Sequence, residues 1–459
     1  MTRSRLALIA ASSLSAFALA VACGAGDDNN NGGDDSSATD SGSGADTTVG
    51  GDSGPPAEAG PGDSGGPFCN VSPCAVSIGI GGSHSCAVLS DGTVHCWGAN
   101  LFGELGSGTV IDGGTVTPPM SATPLSPSGI TNATMVAGGG FFAAPDYDTT
   151  CAVRANKTIF CWGSNVLGEL GEGDASIPSG PTPVSTLITN GVDVSGGLFS
   201  MCAVLASGDV ACWGDNDEAQ IAQPAASTVY PSPTVLSAGG TQFAKVSVGV
   251  ENACALSDDG HVWCWGLGDD GENGRYTGGG AADEPPMAIA SIDSALDVAA
   301  GYVSGCAIKS DNSVVCWGLG TAGILGRGGA DAGPFDPTPQ PIAAPSGKKF
   351  TSVIAHTEGY CALADDKTVW CWGAGVYGAL GSGTADAGNV YPQILETPTQ
   401  VPGLTDVIQI SSSAYGFHTC ALINGGAVKC WGFNQSEQLG YARPDGGDIF
   451  SIAPVSVTF

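Results

Sequence analysis

Basic residues are scarce in this sequence, and their scarcity limits the partners that the protein can have. Only 13 Lys and Arg stand against 44 Asp and Glu, for a formal net charge of −31. Nine of the carboxylates fall in residues 24–67, so the chain from residue 68 onward carries 35 carboxylates and eleven basic residues, a net charge of −24. A surface this acidic repels nucleic acid and anionic lipid headgroups. We therefore predict no nucleic-acid partner.

The apolar run at the N-terminus is too short to span a bilayer. Two arginines precede the apolar residues 6–20, and Ala22 stands before Cys23, which is the form of a secretory signal peptide. The segment Leu-Ala-Val-Ala-Cys at 19–23 resembles the bacterial lipoprotein signal, whose cysteine is lipidated and becomes the new N-terminus. We predict a signal peptide at 1–22 and lipidation of Cys23. Ordinary cleavage that leaves Cys23 free is the alternative.

Residues 23–68 lack the apolar side chains that would offset the entropy cost of ordering. They are almost wholly Gly, Asp, Ser, Asn, Ala, Thr and Pro. We predict a disordered tether that lifts a folded domain, residues 69–459, off a membrane. Calcium binding by the aspartates of the tether is the alternative.

Cysteine, by contrast, recurs with one fixed spacing. The stretch 83–98, S-H-S-C-A-V-L-S-D-G-T-V-H-C-W-G, holds a Cys-Ala pair and, ten positions after that Cys, Cys-Trp-Gly. This pattern occurs seven times, at intervals of 51 to 65 residues, which indicates a repeat architecture. The pairs are Cys86 and Cys96, Cys151 and Cys161, Cys202 and Cys212, Cys254 and Cys264, Cys306 and Cys316, Cys361 and Cys371, and Cys420 and Cys430.

We interpret each unit as a β-hairpin with its two cysteines face to face. In the first unit Cys86 then faces Cys96 and Val88 faces Val94, around a three-residue loop that ends at Gly92. Paired at a non-hydrogen-bonded site, the two Cα atoms come within about 4.5 Å, inside disulfide range. We predict one disulfide per unit. Zinc is disfavoured because zinc ligands are spaced two to four residues apart and four must converge.

The last loop position favours a residue that tolerates positive φ. It is Gly or Asn in five units, but Lys157 and Lys367 in the other two, where we expect strain or a different loop. Cysteine parity adds one more bridge. Without Cys23 the 17 cysteines become an even sixteen, and we expect Cys69 and Cys74 to close a small turn.

Each unit has four short apolar segments with Gly and Pro between them, and no stretch shows sustained helical periodicity. Four strands in each of seven units predict an all-β, seven-bladed β-propeller. The chain enters with the first segment type, at 75–80, and leaves with the fourth, at 453–459. We expect the first and last strands to share one blade and so to close the ring. The alternative is an open solenoid.

Tryptophan recurs once in each unit, beside the second cysteine. We predict that these side chains pack between blades as core. They are Trp97, Trp162, Trp213, Trp265, Trp317, Trp372 and Trp431. Trp263 and Trp370 precede a cysteine instead, and we expect them to pack against neighbouring blades as well. Exposure to solvent is the alternative.

A second signature follows Cys-Trp-Gly: Asn-Leu-Phe-Gly-Glu-Leu-Gly at 100–106, with similar runs at 165–171, 375–381 and 434–440. Together with the cysteine pattern it resembles the repeat of the regulator of chromosome condensation family, over residues 75–459. The resemblance implies a seven-bladed propeller that serves as a rigid interaction platform. Exported bacterial relatives include β-lactamase inhibitors that bind through loops on one face. The third and fourth units lack the Leu-Gly ending, so we expect their loops to differ.

Motifs for catalysis are missing: the sequence has no G-x-S-x-G elbow, phosphate loop or H-E-x-x-H. A triad or metal cluster would need several blades to bring together the five histidines, which are His84, His95, His261, His356 and His418. Two acidic loops could bind calcium, although solvated acidic loops are commoner. They hold Asp215, Asp217 and Glu218, and Asp269, Asp270 and Glu272. We predict no cofactor and no resident metal.

The insertions between units are the better candidates for function, because loops on a rigid scaffold carry function more often than the scaffold does. They run through 115–129, 174–183, 275–286, 327–345 and 384–402. Variable spacer is the alternative. We predict a monomeric, non-enzymatic binding platform for another protein or a surface glycan, exported and lipid-anchored in the outer membrane of a Gram-negative envelope, or secreted. A hydrolase or lyase with a site at the propeller axis and a purely structural surface module remain alternatives.

Overall fold

The structure, a computed structural model, describes residue 69 and residues 72–459 with internal gaps. Outside the described residues lie 1–68, 70–71, 112–114, 118, 142–146, 177–178, 224–227, 276–283, 330–334, 384–392 and 444–448. The predicted signal peptide, Cys23 and the predicted tether therefore lie outside them. Within the described part of the chain, no helix is both long enough and apolar enough to cross a membrane.

Seven four-stranded antiparallel sheets follow one another along the chain, so the predicted seven-bladed propeller is confirmed. Blade 1 contains β1 (Ala75–Ile80), β2 (His84–Leu89), β3 (Val94–Ala99) and β6 (Met120–Leu125), with the small ribbon β4 (Thr109–Ile111) and β5 (Thr115–Thr117) before its last strand. Blade 2 contains β7 (Ala133–Phe141), β8 (Tyr147–Arg154), β9 (Ile159–Ser164) and β10 (Ser179–Ser185). Blade 3 contains β11 (Gly191–Gly196), β12 (Ser200–Leu205), β13 (Val210–Asp215) and β14 (Val229–Val235).

The remaining four blades repeat this order. Blade 4 contains β15 (Phe243–Val248), β16 (Asn252–Ser257), β17 (Val262–Gly266) and β18 (Glu284–Ala288). Blade 5 contains β19 (Ala295–Ala300), β20 (Ser304–Lys309), β21 (Val314–Leu319) and β22 (Phe335–Pro341). Blade 6 contains β23 (Phe350–His356), β24 (Gly359–Ala364), β25 (Val369–Gly375) and β26 (Gln393–Gln400). Blade 7 contains β27 (Val407–Ser412), β28 (His418–Ile423), β29 (Val428–Phe433) and β30 (Phe450–Ser456). Single 3₁₀ turns lie at Thr321–Gly323 and Val376–Gly378.

The second and third strands of each blade form the predicted hairpin. In blade 1 Cys86 pairs with Cys96 and Val88 with Val94, and the Leu89 N–H donates to the Thr93 carbonyl around the three-residue loop. A disulfide joins the cysteine pair in every blade, with Cα–Cα distances of 4.0 to 4.1 Å. A further disulfide joins Cys69 to Cys74, whose Cα atoms are 5.6 Å apart. One cross-strand disulfide per blade is therefore confirmed.

The lysine-containing hairpin loops keep the same shape as the glycine-containing ones. Lys157 has φ 67° and Lys367 has φ 66°, close to 80° at Gly92 and 63° at Asn312. The Lys157 N–H donates to Arg154, as the Gly92 N–H donates to Leu89. The expectation of a different loop is therefore wrong. The expectation of strain is met, since a residue with a Cβ is disfavoured in the left-handed region that both lysines occupy.

Replacing Lys157 by glycine should raise the free energy of unfolding by about 1 kcal/mol, because it removes the left-handed penalty of a residue with a Cβ. The matched control is Ala206→Gly in the hairpin loop of blade 3, which lies outside the left-handed region and should lose about 0.5–1 kcal/mol. Urea unfolding of both variants measures the two changes. Destabilisation of both would contradict the strain at Lys157.

Every blade ends in an outer strand whose edge pairs with no other strand of the described residues, and proline interrupts each of these edges. The prolines include Pro124, Pro183, Pro233, Pro285, Pro339, Pro398 and Pro454. Proline has no N–H to offer a further strand, so it protects an open edge against pairing with another chain.

The ring closes differently from the sequence-based prediction. The first strand β1 pairs with β2 in blade 1, and the last strand β30 pairs with β29 in blade 7, so the two ends share no blade. The reason is that the first segment type is the innermost strand and the fourth is the outermost. A chain that starts with one and ends with the other therefore completes every blade by itself.

Side chains close the ring between blades 7 and 1. The Gln409 amide accepts a hydrogen bond from the Ile78 N–H at 3.0 Å and donates one to the Ile78 carbonyl at 2.9 Å. The Trp97 Nε1–H donates to the Gln438 carbonyl at 2.9 Å, and the Ser85 hydroxyl donates to the same carbonyl at 2.9 Å. Ring closure thus uses the same kind of contact that joins the other blades.

The seven Cys-Trp-Gly tryptophans are fully buried, as predicted. Each side chain lies between two blades, and its Nε1–H donates to a carbonyl in the loop of the preceding blade, at 2.7 to 3.0 Å. Trp213 of blade 3, for example, donates to Glu169 of blade 2 at 2.7 Å. Trp263 and Trp370 are half-buried instead, and Trp263 packs edge-on against Phe243.

The loops of the third and fourth units keep the common conformation, so the expectation that they differ is wrong. Ala219 and Ala222 have φ 57° and 58°, where blade 1 has Gly103 and Gly106 at 91° and 70°. The Ala222 N–H donates to the Ala219 carbonyl at 2.8 Å, just as the Gly106 N–H donates to the Gly103 carbonyl at 2.8 Å. The packing around the loop imposes this shape, and the alanines accept the backbone strain.

Candidate binding face

One end of the propeller carries the turns between the first and second strands and the loops after the third strands. We call this end the mouth face, and the opposite end, with the three-residue hairpin loops, the hairpin face. At the mouth face one backbone hydrogen bond recurs from blade to blade. Its acceptor is the carbonyl three residues before the first cysteine of the blade, and its donor is the N–H of the residue that follows Cys-Trp-Gly. Phe199 accepts from Asp215, Glu251 from Leu267 and Glu358 from Ala374, at 2.8 to 2.9 Å.

The glycine of Cys-Trp-Gly makes this backbone contact possible. Gly214 has φ 104°, and a Cβ there would lie 2.4 Å from the Phe199 carbonyl oxygen. Gly373 has the same φ and would place a Cβ 2.4 Å from the Glu358 carbonyl oxygen. Each mouth turn is therefore held by its backbone, which leaves its side chain available to vary.

The side chain at this turn position does vary within the otherwise regular repeat. It is Ser83, Asp148, Phe199, Glu251, Val303, Glu358 and Phe417 in blades 1 to 7. A rigid frame that carries five residue types in seven copies is the arrangement expected of a ligand-facing surface, although Ser83 and Asp148 of blades 1 and 2 are fully buried. The sequence contained this signal, but only the structure shows that the seven turns lie at one end of the channel.

Aromatic side chains from five blades gather around the opening of the axial channel. We call Phe102, Phe141, Tyr147, Phe199, Tyr302 and Tyr415 the aromatic mouth. Tyr415 of blade 7 packs against Phe141 of blade 2 at 4.8 Å and against Tyr302 of blade 5 at 5.6 Å between ring centroids. Tyr147 stacks on Phe102 at 4.9 Å and lies 6.1 Å from Phe199. All but Phe141 are half-buried, so each keeps part of its ring in solvent.

Carboxylates lie beside the aromatic mouth on the side of blades 4 to 6. Burial raises the pKa of Tyr302, and the charges of Glu251, Asp270 and Glu358 raise it further. Burial also raises the pKa of Glu358, while burial and the neighbouring Asp269 raise that of Asp270. The opening therefore combines ring faces with negative charge.

Basic side chains lie mostly at the opposite end. On the hairpin face are Arg154, Lys157, Lys309, Lys348, Lys349, Lys367 and Lys429. On the mouth side Arg275 donates to the carbonyls of Met287, Pro285 and Cys264, and Arg327 pairs with Asp336 at 2.8 Å. These two guanidinium groups bind the chain's own strands. With Arg443 in the loop after β29, the mouth side has three of the described basic residues against seven on the hairpin face.

The inner strands of all seven blades enclose an axial cavity of about 180 Å³. Lys245 forms an ion pair there with Asp297. Burial opposes the charge of Lys245, but its pKa is raised because Asp297 and Asp193 outweigh that cost. Asp193 accepts the Val246 N–H at 3.0 Å, and Asp297 accepts the Val353 N–H at 2.9 Å. The channel side chains thus join neighbouring inner strands, which share no backbone ladder.

The histidines do not converge at the mouth in the described structure. His84 contacts Asp148 at 2.9 Å and the Thr150 hydroxyl at 2.6 Å, but all three residues are fully buried between blades 1 and 2. Thr150 donates its proton to the Glu104 carbonyl at 2.9 Å, so this chain of groups connects blades. His418 is likewise buried, 2.9 Å from the Ser85 hydroxyl, and burial lowers its pKa to about 3.

The remaining histidines are separate from one another. His356 is buried, and burial lowers its pKa to about 4. His95 lies on β3, 3.4 Å from Ser126, and His261 lies just before β17, 3.1 Å from Asp259.

The two acidic loops of blades 3 and 4 are used largely to hold their own backbone. Asp215 accepts from the Gln220 amide at 3.1 Å, and Glu272 accepts from the Asp270 N–H at 2.9 Å. Burial raises the pKa of Asp215 to about 6 and that of Glu272 to about 8, with nearby carboxylates adding to both shifts. Among the described residues, no three His, Cys, Asp or Glu side chains are grouped to hold a metal ion.

Replacing Glu272 by glutamine should flatten the dependence of stability on pH. Folded Glu272 keeps its proton up to about pH 8, whereas the unfolded carboxyl releases it near 4.5, so the free energy of unfolding falls as pH rises between these values. Between pH 5 and pH 8 the free energy of unfolding should fall by about 2–4 kcal/mol less in the variant than in the native chain, as measured by urea unfolding. Glutamine fits the site because Gln438 of blade 7 accepts the equivalent hydrogen bond, from the Ser436 N–H at 2.9 Å.

The reciprocal substitution Gln438→Glu is the control and should introduce the same pH dependence in blade 7. An unchanged slope in Glu272→Gln would show that the carboxyl of Glu272 does not keep its proton in the folded state.

The predicted insertions contribute outer strands as well as loops. Those at 174–183, 275–286, 327–345 and 384–402 each contain the start of an outer strand, and parts of all four lie outside the described residues. The insertion at 115–129 contains β5 and β6. All five start after a third strand, at the same end as the aromatic mouth.

Together the fold and this face define a repeat-built propeller with a rigid loop surface around its channel. Models of the regulator of chromosome condensation (RCC1) repeat match residues 75–104, 192–220, 243–272 and 366–422. These four stretches of the chain therefore carry the RCC1 repeat, and the chain is similar to proteins of that family.

Relatives of known sequence differ widely in length. The human E3 ubiquitin-protein ligase HERC2 is 29% identical over 310 residues, which is 66% of this chain and 6% of HERC2. This chain thus spans a small part of that relative and of its mouse counterpart. The ultraviolet-B receptor UVR8 of Arabidopsis thaliana is 25% identical over 372 residues, 79% of this chain and 78% of UVR8.

Solved structures support the fold. Prp20p from Saccharomyces cerevisiae superimposes with a TM-score of 0.64 at 18% identity, over 86% of this chain and 88% of Prp20p. Human WBSCR16 superimposes with a TM-score of 0.62 at 18% identity, over 75% and 86%. At this identity the likeness concerns the propeller fold alone.

Proposed function

We propose that this protein is a non-enzymatic binding module whose aromatic mouth holds another protein or a surface glycan. The observation that carries the proposal is the position of the aromatic mouth, on turns whose backbones are fixed by hydrogen bonds to the adjoining strands. Aromatic rings offer a large contact area at little entropy cost, and a rigid frame reduces that cost further. Prp20p, which shares the fold, is described with binding to Gsp1p and histones, which supports a protein as the ligand.

We further propose that the module acts at a cell envelope as a monomer. The signal-like N-terminus, the cysteine at residue 23, the Gly- and Asp-rich segment after it and eight disulfides all favour an exported, lipid-anchored chain. The outer membrane of a Gram-negative bacterium, with lipid on Cys23, is the anchoring site that these features favour. Metabolic labelling with a fatty acid tests this. Label in the native chain and its loss in Cys23→Ser are expected, and an unlabelled native chain would contradict the anchor.

Binding is tested with the full oxidised chain, immobilised and exposed to envelope extract. The variant carries Phe199→Ala and Tyr302→Ala in the aromatic mouth. The matched control carries Val192→Ala and Leu296→Ala, whose side chains are 43% and 51% exposed near the other end of the channel. A saturable protein or glycan held by the native chain and the control, but reduced at least about tenfold with the mouth variant, supports the proposal. Equal retention by all three chains contradicts it.

A hydrolase or lyase with a site at the axis is the second candidate, favoured by the raised pKa values of Asp270 and Glu358 near the channel opening. Against it, the described histidines are buried between blades or lie on the hairpins, so no imidazole joins these carboxyl groups. A purely structural surface module predicts no saturable ligand, and the same binding experiment tests it.

A further inference from the structure

We infer that the aromatic mouth selects a basic segment of a partner protein, one in which arginine or lysine side chains are exposed. This inference rests on the proposed binding function and names the chemistry of its ligand. The position of the charges, the position of the rings and their proximity each contribute to it.

The first step concerns the distribution of charge between the two ends. Seven of the Lys and Arg residues that the structure describes lie on the hairpin face, while Glu251, Asp270 and Glu358 border the mouth. On the mouth side Arg275 and Arg327 donate to carbonyls of the third strands of their own blades, and Arg443 lies in the loop after β29. A partner that approaches the channel opening therefore meets a negative potential, which attracts a basic surface and repels an acidic one.

The second step concerns the rings. Tyr302 and Tyr415 meet at right angles over the channel opening, and Phe199 and Tyr147 extend the surface over blades 2 and 3. Each ring offers a face with negative quadrupole charge, and a cation within about 6 Å of a ring centroid is attracted to it. Rings alone would accept any apolar ligand.

The third step joins the two. Glu251, Tyr302 and Glu358 lie on the turns between the first and second strands of the adjacent blades 4, 5 and 6, so the two carboxylates flank the ring. Burial and then the charges of these carboxylates raise the pKa of Tyr302, in agreement with that placement. A guanidinium group fits such a pair because its planar face stacks on a ring while its N–H groups donate to a carboxylate. This combination favours arginine over lysine, and either over a neutral side chain.

The chain itself pairs its cations with rings and carboxylates. Arg154 lies over Phe160 at 5.2 Å, Lys348 lies over Trp370 at 5.2 Å, and Lys245 pairs with Asp297 in the channel. The chain thus pairs cations with rings at its hairpin face, and at its mouth it supplies the rings and the carboxylates for a cation from outside.

The test uses a synthetic peptide of alternating arginine and glycine, with calorimetry on the full oxidised chain. Two matched peptides replace arginine by lysine and by citrulline, which keeps the shape and removes the charge. We expect the arginine peptide to bind more tightly than the lysine peptide and the citrulline peptide to bind at least about tenfold more weakly than arginine. Affinity should fall as salt is raised. Equal binding of the arginine and citrulline peptides would overturn the inference.

Two variants locate the binding. The double variant Glu251→Gln with Glu358→Gln preserves the shape of the mouth and should weaken binding of the arginine peptide at least about tenfold. Asp258→Asn with Asp259→Asn removes the same charge from a hairpin loop and should leave binding within about twofold. Equal weakening by both pairs would show attraction to net charge only, and would also overturn the inference.

The outcomes separate this inference from the proposed function. If the Phe199 and Tyr302 variant loses its envelope ligand while the arginine peptide does not bind the native chain, the binding module stands and the preference for a basic ligand fails. If the envelope ligand is retained by that variant and the peptide does not bind either, both fail.

Discussion

Trp213→Ala should lower the free energy of unfolding by about 3–5 kcal/mol, the range for a large buried aromatic side chain. Trp213 is fully buried between blades 2 and 3, and its Nε1–H donates to the Glu169 carbonyl at 2.7 Å. The alanine variant would leave both a cavity and a buried carbonyl without its donor. Trp213→Phe fills most of the cavity but still removes the donor, so we expect a loss of about 1–3 kcal/mol. Urea unfolding followed by circular dichroism measures both.

Trp263→Ala is the matched control, because Trp263 lies in the next blade and is only half-buried. It should lower the free energy of unfolding clearly less than Trp213→Ala does. A cost for Trp263→Ala as large as that for Trp213→Ala would mean that the seven repeated tryptophans do not hold the blades together.

Removal of one blade disulfide, by Cys202→Ala with Cys212→Ala, should lower the free energy of unfolding by about 3 kcal/mol. The bond closes a loop with a sequence separation of 10, and the chain-entropy model gives this value for a loop of that size. The two Cα atoms lie 4.0 Å apart, so two alanines fit the same strand pairing. Urea unfolding of the oxidised chain measures the change.

The equivalent pair Cys254 and Cys264 occupies the same register in blade 4 and should give the same loss when both are replaced. Thiol titration of the native chain in denaturant provides the control for oxidation. Free thiols at the blade cysteines would contradict the disulfide assignment and would weaken the argument for export.

The hairpins could be predicted from the sequence because every interaction that defines them is local. Cys86 and Cys96 are ten residues apart, and a three-residue loop between them leaves a single register in which both cysteines and both valines pair. The seven buried tryptophans were predictable for a similar reason, since each stands at a fixed position beside a cysteine of known orientation.

Interactions between blades were predicted less well. Ring closure through a shared blade was wrong, because the order of segments along the chain does not tell which segment is the innermost strand and so begins a blade. The loop of the third unit was predicted to differ, yet Ala219 and Ala222 adopt the left-handed conformation that glycine takes elsewhere. Local preference argues against these alanines, and the packing of each loop against the next blade overrides it.

The aromatic mouth was missed for a physical reason of the same kind. Phe141 and Tyr415 are in contact at 4.8 Å but belong to blades 2 and 7, far apart in the sequence. Nothing in the local pattern of either residue indicates the other, and the ring of blades alone brings them together.

By itself the sequence determined the repeat, the hairpin register, the disulfide in each blade and the buried tryptophans, because all of these depend on contacts within about ten residues. It also determined a strongly acidic composition. Only the tertiary structure decided that the ring closes through Gln409 and Trp97, that the rings meet over the channel and that carboxylates border them. These features arise from contacts between blades, and the positions of the blades follow from packing over the whole circle.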